Sequence, residues 1–288
     1  NQESNSISVI DTTTNKVTTT ISVGSSPVGV AISPNGTKVY VANAKSNDVS
    51  VIDTATNTVI ARVPSGSSPK GIAVSPDGKN VYVANLASNT ISVIDAATNA
   101  VVNTVKTGKS PTGVAVNTDG KKVYVTNYGD KTISIIDTAT KAVISTVSVE
   151  KGPKEIAVTP DGKKVYVANS DSVSISIIDT ATNTVTATML VGKSPYASGQ
   201  FIGSIPVQPV YPSANFSSNI TSDYVFLSVP VQFTDLSENA TGWTWDFGDG
   251  SSSTKQNPPH TYSVTGIYTV SLTVSNSNGT DSKLVTVN

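Results

Sequence analysis

The string Val39-Tyr40-Val41-Ala42-Asn43 returns as Val81–Asn85, as Val123–Asn127 with Thr126 for alanine, and as Val165–Asn169, each copy 42 residues after the last. A fixed period restricts a chain to architectures that stack one supersecondary unit, because each unit buries its apolar face against the next. A period of about 40 to 45 residues holding several strand signals is that of a β-propeller with four-stranded blades.

One full repeat shows why. Val28-Gly29-Val30-Ala31-Ile32 is a short, continuous apolar run, as expected of a strand covered on both faces, and its Gly and Ala suit the narrow inner end of a wedge. Ser33-Pro34-Asn35-Gly36 follows as a hairpin turn, Pro presetting φ and Gly accepting positive φ. Lys38 to Asn43 alternates Val39 and Val41 with Tyr40 and Ala42, a period-2 strand. Val49 to Asp53 predicts a third strand and Thr58 to Val63 a fourth, outermost one whose Thr residues and Arg62 meet solvent. Whole repeats cover 28–64, 70–106, 112–148 and 154–190.

The N-terminal stretch adds a third strand, Ile7 to Asp11, and a fourth, Val17 to Val23, while Tyr196 to Ile205 is a first-strand candidate. Together these supply strands one, three and four of a composite blade, with strand two absent. Two outcomes stay open: five blades closing with a defective seam, or a piece of a larger ring. Asn1 falls in register with Asn43, so the array opens inside a repeat and reads as a fragment or a processed chain.

The recurring strand, written Tyr124-Val125-Thr126-Asn127 in the third copy, the Pro-Asp-Gly turn and the Ile-Asp-Thr-Ala-Thr turn resemble the YVTN family of β-propellers over residues 1 to about 205. The resemblance implies a rigid, repeated binding scaffold of the kind met in archaeal surface layers.

Pro206, Pro209 and Pro212 then mark a linker over 206–211. Beyond it, Val229 to Asp235, the alternating aromatic string Gly242-Trp243-Thr244-Trp245-Asp246-Phe247, and Gly266 to Val274 predict an antiparallel sandwich over 212–288. Trp-Asp-Phe-Gly-Asp-Gly at 245–250, His260-Thr261-Tyr262 and Gly266-Ile267-Tyr268-Thr269-Val270 resemble a PKD domain, an immunoglobulin-like module of cell-surface proteins. The fold expectation is therefore all-β, a propeller of about five four-stranded 42-residue blades, one of them composite and incomplete, over 1–205, followed by an immunoglobulin-like PKD sandwich over 212–288. A propeller of this kind joined to a PKD domain resembles archaeal surface-layer proteins of the Methanosarcina type.

Composition narrows the chemistry. Charged residues are 14% of the chain and the net charge is -1, which argues against a nucleic-acid footprint. No apolar run reaches the roughly 18 residues of a membrane helix, and no signal peptide opens the sequence. With no cysteine and the single histidine His260, one chain cannot assemble a His- or Cys-based metal site, and no cofactor is expected. His260 lacks a nucleophile motif; its place in the PKD signature implies a packed structural role. Asp246 and Asp249, three apart beside glycines, are a calcium candidate, against the alternative that both bond their own turn. Asp11, Asp53, Asp95, Asp137 and Asp179 recur once per blade and read as turn caps, as do the recurring Asn43, Asn85, Asn127 and Asn169. Tyr128, Lys151 to Glu155, and Asp171-Ser172 break the repeat inside loops, where specificity tends to sit. Glycosylation sequons stand at Asn35, Asn215, Asn219, Asn239 and Asn278, four of the five beyond residue 205.

These readings point to a non-catalytic structural or adhesive protein of the cell surface, in contact with other surface proteins, glycans or copies of itself. A secreted carbohydrate- or protein-binding module is the alternative. A lactonase-like or redox propeller enzyme has little to work with in a ring lacking His and Cys.

Overall fold

The computed structural model describes residues 1–196, 210–220 and 229–287, in two compact units, Asn1–Ser204 and Ile205–Asn288. Most of the first-strand candidate at Tyr196 to Ile205, and of the linker at 206–211, lies outside the described residues. The described residues form strands and turns without a helix.

In the first unit β1 (Ser6–Asp11) and β2 (Lys16–Ser22) form a two-stranded sheet. Four complete blades follow: β3 (Pro27–Ile32) to β6 (Thr58–Pro64) with β4 (Lys38–Asn43) and β5 (Asp48–Asp53) between them; β7 (Pro69–Val74), β8 (Asn80–Asn85), β9 (Thr90–Asp95) and β10 (Ala100–Lys106); β11 (Pro111–Val116), β12 (Lys122–Asn127), β13 (Thr132–Asp137) and β14 (Ala142–Ser148); and β15 (Pro153–Val158), β16 (Lys164–Asn169), β17 (Ser174–Asp179) and β18 (Thr184–Leu190). Within each, neighbouring strands pair antiparallel in sequence order, and a bulge interrupts the third-to-fourth-strand ladder every time. The turns close on residues at positive φ: Asn47 and Asn89 before a third strand, and Asn57, Asn99 and Asn183 before a fourth. Asparagine reaches this region at little cost, which is why it recurs there.

Blades pack through complementary faces. Tyr40, Ala42, Val49 and Val51 of the first meet Val81, Val83 and Ile94 of the second; Tyr124, Ile133 and Ile135 of the third meet Ile156, Val165, Val167 and Ile178 of the fourth. Each such valine or isoleucine, once fully buried, contributes roughly 1.5–3 kcal/mol. First strands approach closest: a Cβ on Gly29 would sit against the carbonyl oxygen of Lys70, and one on Gly71 against that of Thr112. Glycine there sets the wedge.

One expectation fails at β3. Its apolar run is not covered on both faces, since Val30 is 54% and Ile32 59% exposed. The two-stranded β1–β2 sheet covers only the outer part of that blade, packing Ile21 and Val23 on Val41 and Ile52. At the other end, β18 is exposed throughout, with Leu190 83% accessible.

The second unit has a sheet of β19 (Phe216–Ser218), β20 (Val231–Asp235) and β23 (Pro259–His260), and a sheet of β22 (Ser252–Ser253), β21 (Gly242–Asp246), β24 (Tyr268–Asn276) and β25 (Gly279–Val287). Trp245, fully buried, holds the centre, in contact with Phe216, Phe233 and Phe247 at ring separations of 5.0 to 6.4 Å. Its indole N–H donates to the Lys255 carbonyl at 3.0 Å, so the largest apolar side chain is buried without leaving a donor unpaired.

Candidate functional site at the junction of the third and fourth blades

The polar residues that recur in every blade are spent on the scaffold. Asp53 Oδ1 accepts the Thr56 amide at 2.8 Å and the Thr56 hydroxyl at 2.9 Å, and Asp11, Asp95, Asp137 and Asp179 do the same with their own threonines. Those bonds, led by the one from the threonine amide, hold each of these carboxyls below the usual range. The Asn85 amide donates to Thr90 and Ser92, and Asn43, Asn127 and Asn169 bridge to their third strands in the same way.

A second repeated device links consecutive blades. The side-chain oxygen of Asn5 accepts the Ser26 amide at 2.8 Å, Asn47 accepts that of Ser68, and Asn89 that of Ser110. At the next junction the same register holds Lys131 and Gly152, and lysine offers no acceptor.

The departures from the repeat converge at this one junction. Tyr128, on the turn after β12, donates its hydroxyl to Asp171 Oδ2 at 2.8 Å, on the turn after β16. The Lys154 ammonium lies 5.5 Å from the Tyr128 ring centroid, within cation–π range. The bond from Tyr128 holds the Asp171 carboxyl low, helped by Ser170 and Lys154; the same bond pushes the Tyr128 phenol up. Gly152 makes the arrangement feasible: a Cβ there would run into Asp171, whereas Ser26, Ser68 and Ser110 hold the same left-handed backbone, at φ 52 to 58, with a side chain. Elsewhere Gly152 is replaced by Ser26, Ser68 and Ser110, while Asp171 is replaced by Lys45, Ala87 and Gly129.

Glu155 adds a second singularity. It occupies the register of Gly29, Gly71 and Gly113, whose neighbouring backbone leaves no room for a side chain. Half-buried in β15, it is pushed up to about 7 by loss of solvent. Tyr128, Lys154 and Asp171 together offer an aromatic ring 36% exposed, an ammonium and a carboxylate, a set suited to hydrogen-bonding and stacking with a polar ligand.

The other candidates sit as follows. Asp246 Oδ1 accepts the Gly248 amide at 2.9 Å; Asp249 Oδ1 accepts the Ser251 amide and hydroxyl, and Oδ2 pairs with His260 Nε2 at 2.8 Å. Asp246 thus bonds within its own turn, while Asp249 bonds its turn through Oδ1 and reaches out of it to His260 through Oδ2. Among the described residues no three acidic or His side chains come together as a metal site. His260 stacks on Phe247 at 4.1 Å. The five sequon asparagines are all exposed; the Asn278 amide donates to the Val210 carbonyl.

Residues 32–120 and 115–201 match the family model described as YNCE-like beta-propeller, and residues 206–288 match the PKD domain. Over 41 residues the chain is 54% identical to collagenase ColA of Bacillus cereus, a stretch that is 14% of this chain and 4% of the collagenase. Among solved structures it is similar to hydrazine synthase of Kuenenia stuttgartiensis (TM-score 0.56, 21% identity, 90% of this chain and 65% of that one). It is also similar to a functionally unknown protein of Desulfotomaculum acetoxidans (TM-score 0.60, 17% identity, 99% and 92%). Identities this low show a shared fold.

Proposed function

This chain belongs to the YNCE-like β-propeller family and carries a PKD domain behind its propeller, and on that footing we propose a non-catalytic extracellular protein that presents contact surfaces to other molecules. The observation that carries the reading is the spending of the recurring carboxylates and amides on turns and blade links, which makes the polar framework a scaffold. Within that class we place it as a structural or adhesive component of a surface layer, contacting surface proteins, glycans and copies of itself. Four exposed sequons in the PKD-bearing unit support a glycosylated surface.

Size-exclusion chromatography with light scattering, with and without millimolar Ca²⁺, tests the layer. Calcium-dependent growth into large species supports it and brings Asp246 and Asp249 back as ligands. A monomer under both conditions overturns self-assembly for this chain.

The exposed Tyr128 ring beside Lys154 and Asp171 favours a second reading, a carbohydrate- or protein-binding module. A glycan array distinguishes the two: binding that Tyr128→Ala abolishes selects the module, and a blank array removes the carbohydrate form of it.

A further inference from the structure

The blade junctions also carry a lysine clamp. Lys38 reaches from β4 to the turn after β9, its ammonium donating to the Ala96 carbonyl at 2.6 Å and to the Asn99 side-chain oxygen at 3.3 Å. Lys122 repeats this between the third and fourth blades, donating to the Thr180 carbonyl at 2.6 Å and to Asn183 at 3.0 Å. Beneath each lysine a tyrosine, Tyr40 or Tyr124, is fully buried.

Between the second and third blades the register holds Asn80 instead. Asparagine is too short to reach across, and a cavity of about 230 Å³ lies there, lined by Asp77, Asn80, Tyr82, Asp119 and Thr138 among others; a cavity of about 500 Å³ lies beside Lys38 at the first junction as well, so what sets this junction apart is the missing ammonium and not open space. Thr138 stands where Ala96 and Thr180 stand, and its carbonyl accepts no hydrogen bond from a described residue. Tyr82 is only 3% exposed and lines the cavity; its hydroxyl makes no bond to a described residue, as is also true of Tyr40 and Tyr124 at the clamped junctions. Asp77 and Asp119 each spend Oδ1 on their own hairpin turns. Lys141 takes the place of Asn99 and Asn183, but its ammonium makes no bond or ion pair with a described residue.

We propose that this notch binds the primary ammonium group of an alkylamine or of a lysine side chain on a partner, in the place that Lys38 and Lys122 fill at the equivalent junctions. The Thr138 carbonyl accepts one ammonium proton and the Tyr82 hydroxyl oxygen another. Asp77 and Asp119 supply negative potential at the rim, and charge-assisted bonds of this kind are the strong ones. At two of its own junctions the protein shows the carbonyl half of this chemistry; the second acceptor there is Asn99 or Asn183, a part that Tyr82 takes at the third.

The test is an NMR titration of the full chain with n-butylammonium chloride, with tetramethylammonium chloride as a control that carries charge but no N–H. Saturable shifts at the amides of Asp77, Asp119 and Thr138 with the first salt alone are expected. Asn80→Lys plugs the notch with the residue used at the neighbouring junctions, and should weaken binding at least about tenfold while the fold is kept. Lys141→Asn restores the missing acceptor and should tighten binding. Comparison with N-acetyl-lysine methylamide separates the sources: tighter binding of the amide points to a partner's lysine, weaker binding to a free amine. The proposal is overturned if the native chain shows no shifts, if Asn80→Lys binds equally well, or if only Lys141→Asn binds, which would mean that Lys141 fills the notch itself.

Discussion

Tyr128 and Asp171 are hydrogen-bonded at 2.8 Å across the junction where Lys131 and Gly152 replace the Asn–Ser link found at the three preceding junctions. One link has been exchanged for another. The replacement lies at the surface, so its contribution to stability is small. Tyr128→Phe and Asp171→Asn should each lower the melting temperature by about one degree, and the double variant should cost little more than either alone. Additive losses in that cycle would show that the two side chains do not act as a pair. Lys131→Asn with Gly152→Ser and Asp171→Gly should restore the older link and rescue the loss.

Val173 closes the turn before β17 at φ 49, where Asn47 and Asn89 sit in the first two blades. A β-branched side chain clashes with its own backbone in this region, whereas asparagine is tolerated. Val173→Asn should therefore stabilise the propeller by about 1 kcal/mol, with a rise in melting temperature of roughly 2–4 °C. Since Val173 is exposed, little packing is lost in exchange. An unchanged or lower melting temperature would show that the valine side chain contributes packing that outweighs its strain.

How far the molecule was legible in its sequence depends on how local each feature is. Blade boundaries and turns were readable because Pro, Gly and Asn act on their own backbone within four residues, and the apolar alternation of Val39 to Ala42 states a strand by itself. Exposure of Val30 and Ile32 was not readable, because the run in β3 is chemically the same as those in β7 and β11; what differs is the neighbour. The Tyr128–Asp171 bond joins residues 43 apart, so each showed only as an irregularity until folding brought the two together. Asn80 was hidden for the opposite reason. It is an ordinary strand residue whose meaning lies in the lysines 42 residues to either side.

Glu155 should make the propeller's stability depend on pH near neutrality. Burial lifts its folded pKa from 4.5 to about 7, so the carboxyl holds its proton more tightly folded than unfolded. Stability from this group is complete below the unfolded value and is lost as pH rises through about 7. Allowing for the solvent that still reaches it, moving from pH 5 to pH 8 should cost about 1–2 kcal/mol. Thermal melts by circular dichroism at the two pH values measure this, and Glu155→Gln, which cannot ionise, should flatten the difference. Equal pH dependence in the native chain and in Glu155→Gln would assign the effect to another group.

Asp249 should give the PKD unit the opposite dependence. Burial raises its carboxyl, but the Ser251 hydrogen bonds and the bond with His260 outweigh that and leave it below the usual range. A depressed pKa contributes stability that is present above the unfolded value, near 4, and disappears as pH falls through the folded one. Both tryptophans of the chain, Trp243 and Trp245, lie in this unit, so indole fluorescence follows its unfolding within the intact protein. Denaturant melts read this way should show the native unit losing no more than about 1 kcal/mol between pH 5 and pH 3, because the turn is largely solvated. Asp249→Asn should be weaker at pH 5 and change less on acidification, since the amide keeps an acceptor for Ser251 but carries no charge to lose. If that variant matches the native chain at both pH values, the bond to His260 contributes packing geometry alone, and the acid sensitivity must come from Asp235, whose carboxylate is held by Ser237, Gln256 and Trp243.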